Sequence, residues 1–317
     1  MFNYKLVEKI LVDPIRHGAD KLAIVSGYAT GTMASWHIKY LQEEKFDPID
    51  ISLIVGMCPD DGISIRAHED FKELHSVQTN GYSRFYCMYV CQGAAVHSKV
   101  YIWLKDGKPF RAFTGSINYT QSAFGTGRRE YAVECDPEEA YQYYTQIEKD
   151  TIFCTHSEIE EAVAVKKDSY TDLNQKDGSS DTDIITLSLL QYSGKGDVGF
   201  GSGINWGHRK NGTKREPNQA YISLPAKYAR SGFFPLGGQH FSVITDDKKQ
   251  LILRVEQEHD KAITTPMNNS QLGEYLRYRI GVPNGEFVTK EALERYGRTD
   301  ITFQKIDEEQ FYMDFSV

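Results

Sequence analysis

His97, Ser98 and Lys99, followed at residues 115–118 by Gly-Ser-Ile-Asn, place an imidazole, an ammonium and a carboxamide where all three can converge on one phosphate. That combination points to phosphodiester chemistry. Imidazole is a nucleophile toward phosphorus, while lysine and asparagine donate to non-bridging oxygens that gain charge in the transition state. The pair His-x-Lys is weak alone, since besides His97-Ser-Lys99 it occurs at His37-Ile-Lys39, His208-Arg-Lys210 and His259-Asp-Lys261. Context separates the copies. His37 falls in a helical pattern, where residues two apart do not share a face, and neither it nor His259 is followed by Gly-Ser-x-Asn. Both read as ordinary core or surface histidines.

The stretch from Ala95 to Trp103 is β-branched and aromatic, which predicts a strand with His97 and Lys99 on one face and Ser98, Val100 and Ile102 on the other. Arg111 to Thr114 reads as the next strand. Gly115 is then expected to let the backbone approach a bound oxyanion before Ser116 and Asn118 present their polar atoms. Glu130 opens the apolar run Tyr131-Ala-Val133 as a carboxylate candidate, and spacing alone leaves Glu134 open as a second.

Around these strands the pattern alternates. Leu6, Ile10, Leu11 and Ile15 recur at helical spacing; Lys21 to Tyr28 is a short apolar strand; residues 31–42 are helical; Ile51 to Val55 and Arg84 to Val90 are strands separated by a helical stretch at 66–76. An acidic helix over residues 137–152 follows. Residues 1–165 are therefore expected to form an α/β sandwich. Residues 166–183 collect Lys, Asp, Ser, Asn, Gln and Gly, the composition of a solvated linker. From 184 to 317 short apolar runs (Ile185 to Leu190, Ala220 to Leu224, His240 to Ile244, Gln250 to Val255) are separated by Gly, Pro, Asn and Asp, which predicts a mainly β domain.

A chain of 317 residues is long enough for two cores, and a net charge of −8 argues against an overall basic coat. Affinity for nucleic acid then has to come from a local patch. Residues 201–230 carry Arg209, Lys210, Lys214, Arg215, Lys227 and Arg230 against Glu216 alone, interleaved with Asn205, Trp206, Asn211, Asn218 and several glycines. The bland reading is a solvated face, but a loop of this composition can follow a phosphate backbone and present Arg or Asn to base edges. A second stretch repeats the combination, with Asn268 and Asn269 ahead of Arg277 and Arg279. The five cysteines are odd in number and lack CxxC pairing, so they read as reduced thiols, not a zinc site. No apolar run reaches the roughly 20 residues of a membrane span, and the opening residues lack a signal-peptide pattern, so a cytoplasmic location is expected. No Walker-type glycine loop is present, and ATP hydrolysis by this chain is not expected.

His97-x-Lys99, Gly115-Ser116-x-Asn118 and Glu130 together resemble the phospholipase D superfamily. Many members carry an Asp five residues after the lysine; this chain has Leu104 there and Asp106 two positions later, a departure often met in the nuclease branch. In the second half, Gly203-Ile-Asn-Trp-Gly207, Arg215 to Tyr221, Gly232-Phe-Phe-Pro235 and Tyr296-Gly-Arg298 resemble the NgoFVII-type restriction endonucleases. That resemblance implies a phospholipase D-like sandwich joined to a B3-like barrel that grasps double-stranded DNA with two arms, here around residues 205–218 and 263–279. The implied DNA contacts are Asn205, Trp206, Arg209, Lys210, Lys214, Arg215, Asn218, Asn268, Asn269, Arg277 and Arg279. The implied activity is sequence-specific restriction through a phosphohistidine at His97, with Lys99, Ser116 and Asn118 holding the phosphate, Glu130 fixing the imidazole tautomer, and no metal or other cofactor. One motif copy implies a homodimer whose second His97 protonates the leaving oxygen. A companion methyltransferase and a separate ATPase subunit are implied partners. The competing readings are a non-specific phosphodiesterase of the same superfamily and a catalytically inactive DNA-binding module.

Overall fold

Apolar runs that alternate with helical segments bury both faces of a sheet, and the first half of the chain is built that way. In this computed structural model, which describes residues 5–76, 83–125, 128–166, 184–191, 196–209 and 215–317, two units are distinct, Met1–Ser169 and Tyr170–Val317. The strands of the first are β1 (Lys21–Ser26), β2 (Asp50–Val55), β3 (Ile63–Ser64), β4 (Arg84–Val90), β5 (Lys99–Lys105), β6 (Lys108–Gly115), β7 (Ala132–Cys135), β8 (Thr151–Phe153) and β9 (Val165–Lys166). Seven form a mixed sheet in the order β7-β6-β5-β1-β2-β4-β8, while β3 and β9 pair separately. β1, β2 and β4 run parallel, and β5, β6 and β7 are joined antiparallel on one side.

The helix Pro137–Glu148 starts where Asp136 caps the Glu139 N–H, and it lays Ala140, Tyr144 and Ile147 on Ala23, Val25, Ile54, Val100 and Ile102. Tyr144 carries its hydroxyl to Ser52 at 2.7 Å, so the polar atom brought into this core is satisfied. From the segment Val7–Val12, the Ile10 carbonyl accepts from the indole of buried Trp103 on β5. Two sequence expectations shift. The acidic helix ends at Glu148, and residues 151–153 extend the sheet as β8; His97 and Ser98 lie just before β5, not inside it.

The second unit carries β10 (Ile184–Ser188), β11 (Ile222–Ser223), β12 (His240–Thr245), β13 (Gln250–Glu256), β14 (Ala262–Thr264), β15 (Asp300–Lys305) and β16 (Gln310–Asp314). Their order is β10-β15-β16-β12-β13-β14-β11, with β12 parallel to β16, and β10 also comes alongside β11 so that the sheet nearly closes on itself. Its interior is aromatic: Phe234 packs with Phe241, Phe303 and Phe311 at ring separations of 5.3–5.4 Å. The expected runs at 185–190, 240–244 and 250–255 are strands, whereas the run at 220–224 shrinks to two residues. Of the expected linker, residues 167–183 lie outside the described residues.

Arg279, on the helix Gln271–Ile280, ties this unit together. It grips both carboxylate oxygens of Asp246 at 2.9 and 2.7 Å and reaches the Phe315 carbonyl, joining the helix to the β12–β13 turn and the chain end. Burial works against ionisation of the neighbouring Asp247, yet bonds from Thr245 and Tyr275 and the charge of Arg279 outweigh it and hold this carboxyl below its usual range. Asp314 is likewise held low against burial by Ser316 and Arg298. A carboxylate with a depressed folded-state pKa contributes stability above its unfolded value, and that contribution is lost as pH falls through the folded value. Thermal melts of the full chain are expected to drop steeply as pH falls from about 5 to about 3, and Asp247→Asn should flatten that drop. Parallel curves for the two proteins would contradict the assignment.

Candidate active site and nucleic-acid interface

β5 lies antiparallel to both neighbours, with Ser26 of β1 opposite Lys99 and Thr114 of β6 opposite Val100. On the far side of β6, Gly115 pairs with Ala132 of β7. The end of β1, the start of β5, the end of β6 and the approach to β7 therefore meet along one edge of the sheet. Ahead of β5 the backbone is pinned twice, Val96 N–H to the Gly56 carbonyl at 2.9 Å and Gly27 N–H to the Ser98 carbonyl at 3.1 Å. Ser98 sends its hydroxyl to Tyr143 on the helix side, at 2.8 Å. His97 and Lys99 take the opposite side and close over Gly27, where an added Cβ would sit 3.1 Å from His97 Cδ2 and 3.3 Å from Lys99 Nζ. The alternation expected from sequence thus survives, although the strand starts at Lys99, four residues later than expected.

Lys99 is only 6% exposed and donates to the His97 carbonyl. Burial lowers the pKa of its ammonium, with the Glu130 charge partly opposing. Asn118 is held by its oxygen: Oδ1 accepts from Tyr28 N–H at 3.2 Å and from Ser26 Oγ at 3.5 Å, and among the described residues nothing accepts from Nδ2. Its flanks are fixed by Tyr101 donating to the Ile117 carbonyl and by Tyr119 bonding His37 at 2.9 Å. Burial pushes the pKa of His37 down to about 3, so it stays neutral as a support for Tyr119. His259 is exposed.

Two roles differ from expectation. The Glu130 carboxylate accepts from Ser116 Oγ, and among the described residues neither ring nitrogen of His97 has a hydrogen-bond partner. The imidazole instead meets the Tyr28 ring edge-on, with centroids 5.9 Å apart. Gly115 is required by close strand packing, since a Cβ there would lie 2.1 Å from the Tyr131 carbonyl oxygen. Glu134 accepts from Arg111 at 2.8 Å, and Arg111 also bonds Asp13; of the two carboxylates, Glu130 is the one bonded to a motif residue. Ser26, Gly27 and Tyr28 were not singled out as site residues, although a strand ending in Ser-Gly-Tyr marks the carboxyl end of a parallel pair, where α/β sheets place their ligands. Among the described residues no group of three or more His, Cys, Asp or Glu side chains is arranged to hold a metal ion.

In the second unit the expected DNA-contacting residues divide into interior and surface. Arg277 is fully buried and donates to the carbonyls of Glu286, Gly273, Ile204 and Pro217 and to Asn205 Oδ1, at 2.9–3.5 Å. Burial lowers its pKa, against the charges of Glu216 and Glu274. Asn205, also buried, exchanges two bonds with the Val288 backbone, and Asn218 accepts from Gly285 N–H at 2.7 Å. These three and the ion-paired Arg279 brace the loops from inside, which corrects the expectation that they reach DNA: their donors are spent on backbone and carboxylates. A cue was present, since Gly273 and Arg277 are four apart on the helix beside Leu272 and Leu276, and that spacing turns an arginine inward.

The surface group is smaller. Arg215 lies over the Trp206 ring at 4.5 Å, and its pKa is lowered by burial and by the nearby charge of Arg209, which is exposed. Asn268 is exposed and Asn269 half-buried, and the latter's carbonyl accepts from Ala220 N–H at 3.1 Å. The Glu216 carboxylate accepts from Ser270, so the two loops are cross-linked. Lys210 and Lys214 lie outside the described residues.

Two family models match the chain. Residues 4–161 match the NgoFVII restriction endonuclease N-terminal PLD domain and residues 178–307 the NgoFVII C-terminal B3-like DNA-binding domain. No curated protein matches. Among solved structures, NucT from Helicobacter pylori is 15% identical at a TM-score of 0.31, covering 48% of this chain and 96% of its own. Polyphosphate kinase from Porphyromonas gingivalis is 13% identical at a TM-score of 0.28, covering 49% of this chain and 24% of its own.

Two substitutions test the geometry. The backbone of Gly27 tolerates a side chain, but a Cβ there would press on His97 and Lys99 and make them give way, so Gly27→Ala should fold normally and cleave at least about tenfold more slowly; an unchanged rate would show that His97 and Lys99 need not close over it. Arg215→Ala should weaken DNA binding and reduce its salt slope at unchanged melting temperature, whereas Arg277→Ala should lower the melting temperature first, by about 3 kcal/mol of lost stability.

Proposed function

This chain belongs to the NgoFVII restriction endonuclease family, joining a phospholipase D-like nuclease domain to a B3-like DNA-binding domain, and from that premise we propose that it cuts double-stranded DNA site-specifically through a phosphohistidine on His97, without a metal ion. The observation that carries the reading is the closure of His97 and Lys99 over Gly27 beside an Asn118 whose Nδ2 is left to donate. An imidazole nitrogen attacks phosphorus, the bond to the leaving oxygen breaks, and Lys99 and Asn118 receive the charge on the non-bridging oxygens. Water then hydrolyses the phosphohistidine and restores the imidazole.

The leaving oxygen needs a proton. With one motif per chain, the imidazole of a second copy supplies it and later activates the water, so the working enzyme is a homodimer. Glu130 acts through Ser116: it accepts the Ser116 hydroxyl proton while that oxygen accepts from Tyr131 N–H, which fixes the turn that carries Asn118. Residues 1–165 form the catalytic domain, 166–183 the linker and 184–317 the reader, with Trp206, Arg209, Lys210, Lys214, Arg215, Asn268 and Asn269 as the DNA-facing group. A companion methyltransferase and an ATPase subunit would complete the restriction system.

Digestion of a sequenced plasmid in EDTA, with the ends mapped, tests this directly. Discrete cuts should persist in chelator, His97→Ala should lose at least about 1000-fold in cleavage while retaining DNA binding, and sedimentation should give a dimer. Strict dependence on added metal, or cutting by His97→Ala, would refute the mechanism. Scattered ends would favour a non-specific phosphodiesterase.

A further inference from the structure

Tyr28 is 43% exposed, yet it is restrained at both ends. Its N–H donates to Asn118 Oδ1 at 3.2 Å, and its hydroxyl donates to Asp61 Oδ2 at 2.6 Å. The bond to Asp61 raises the phenol's pKa and keeps it protonated as a donor. Asp61 ends the one-turn helix Cys58–Asp61 that follows β2; its own N–H donates to the Met57 carbonyl, and Met57 N–H donates to the Gly27 carbonyl. The bridge from Tyr28 to Asp61 therefore joins the ends of β1 and β2 into one closed frame, and the ring it fixes stands edge-on to His97 at an interplanar angle of 80°.

An exposed tyrosine ordinarily samples several rotamers, and tethering one at the hydroxyl costs side-chain entropy. The tether here falls beside His97, whose ring nitrogens have no hydrogen-bond partner among the described residues, the carboxylate expected to orient it being engaged with Ser116. We propose that Tyr28, tethered by Asp61, is a positioning residue that sets the orientation of the His97 imidazole. The assignment rests on His97 being the nucleophile. Edge-to-face contact restricts rotation of the imidazole without consuming either nitrogen, so one remains available for phosphorus and the other for a proton.

The test uses the full chain and bis(p-nitrophenyl) phosphate, a diester whose leaving group needs neither a recognition sequence nor protonation. Tyr28→Ala should lower kcat about 10- to 100-fold with KM within about twofold. Tyr28→Phe, which keeps the ring and loses only the tether, should fall between that variant and the natural protein. Asp61→Ala should match Tyr28→Phe because it removes the same bond from the other end, and Asp61→Asn, which keeps an acceptor, should retain more turnover than Asp61→Ala. In nitrogen-15 imidazole spectra, the His97 signal, identified by its absence from His97→Ala, should shift or broaden in Tyr28→Ala. Natural kcat in Tyr28→Ala, a loss confined to KM, or an unmoved His97 signal would overturn the proposal. Turnover by His97→Ala would instead sink the nucleophile assignment on which it rests. Should the alanine variant misfold, Tyr28→Phe against Asp61→Asn still decides, since the first removes a single hydroxyl and the second preserves the bond.

Discussion

β5 is threaded antiparallel between β1 and β6, and the side chains of His97 and Lys99 gather beside Ser26 and Gly27 because of that register. It sets Lys99 against Ser26 and brings Gly115 level with the same edge, so residues 73 positions apart in the chain become neighbours without any long loop to hold them. A sheet edge is a stiff support, and a cluster built on strand ends is held more firmly than one carried by loops alone. The burial of Lys99 follows from the same register. An ammonium removed from water with a backbone carbonyl as its bonded acceptor is incompletely compensated, and the charge of Glu130 only partly offsets the cost of burial.

The second unit solves a different problem. Its reader loops contain too many glycines and amides to hold a shape by themselves, and one buried guanidinium supplies the missing order by collecting carbonyls from four separate positions. Arginine suits the task because it remains charged when buried and presents five donors in a fixed fork. Gly273 makes room for it, since a Cβ there would fall 1.8 Å from the Asn218 carbonyl oxygen. Arg209 and Arg215 lie outside this cage, and burial together with the nearby Arg209 charge lowers the pKa of Arg215.

Much of this was legible in the amino-acid order. The spacing of His97, Lys99, Ser116, Asn118 and Glu130 marked residues that the strand register brings to one edge of the sheet, and the alternation of apolar runs located most strands. Less legible were roles set by neighbours distant in the chain. Nothing in the local sequence says that Glu130 reaches Ser116 and leaves His97 to Tyr28, or that Gly115 is forced by Tyr131 across the sheet. Composition misled most where charge was taken as exposure: Arg277 and Arg279 looked like a basic surface, and tertiary packing drew one wholly inside and gave the other two aspartates. The short strands β11 and β14 were blurred for a related reason, since pairs of two or three residues carry no periodicity of their own.

The division between an internal brace and an outward face has an evolutionary corollary. Because the cage around Arg277 is closed by main-chain carbonyls, it places little demand on which side chains stand at Arg209, Arg215 or Asn268. Those positions can therefore change one at a time without disturbing the frame that carries them.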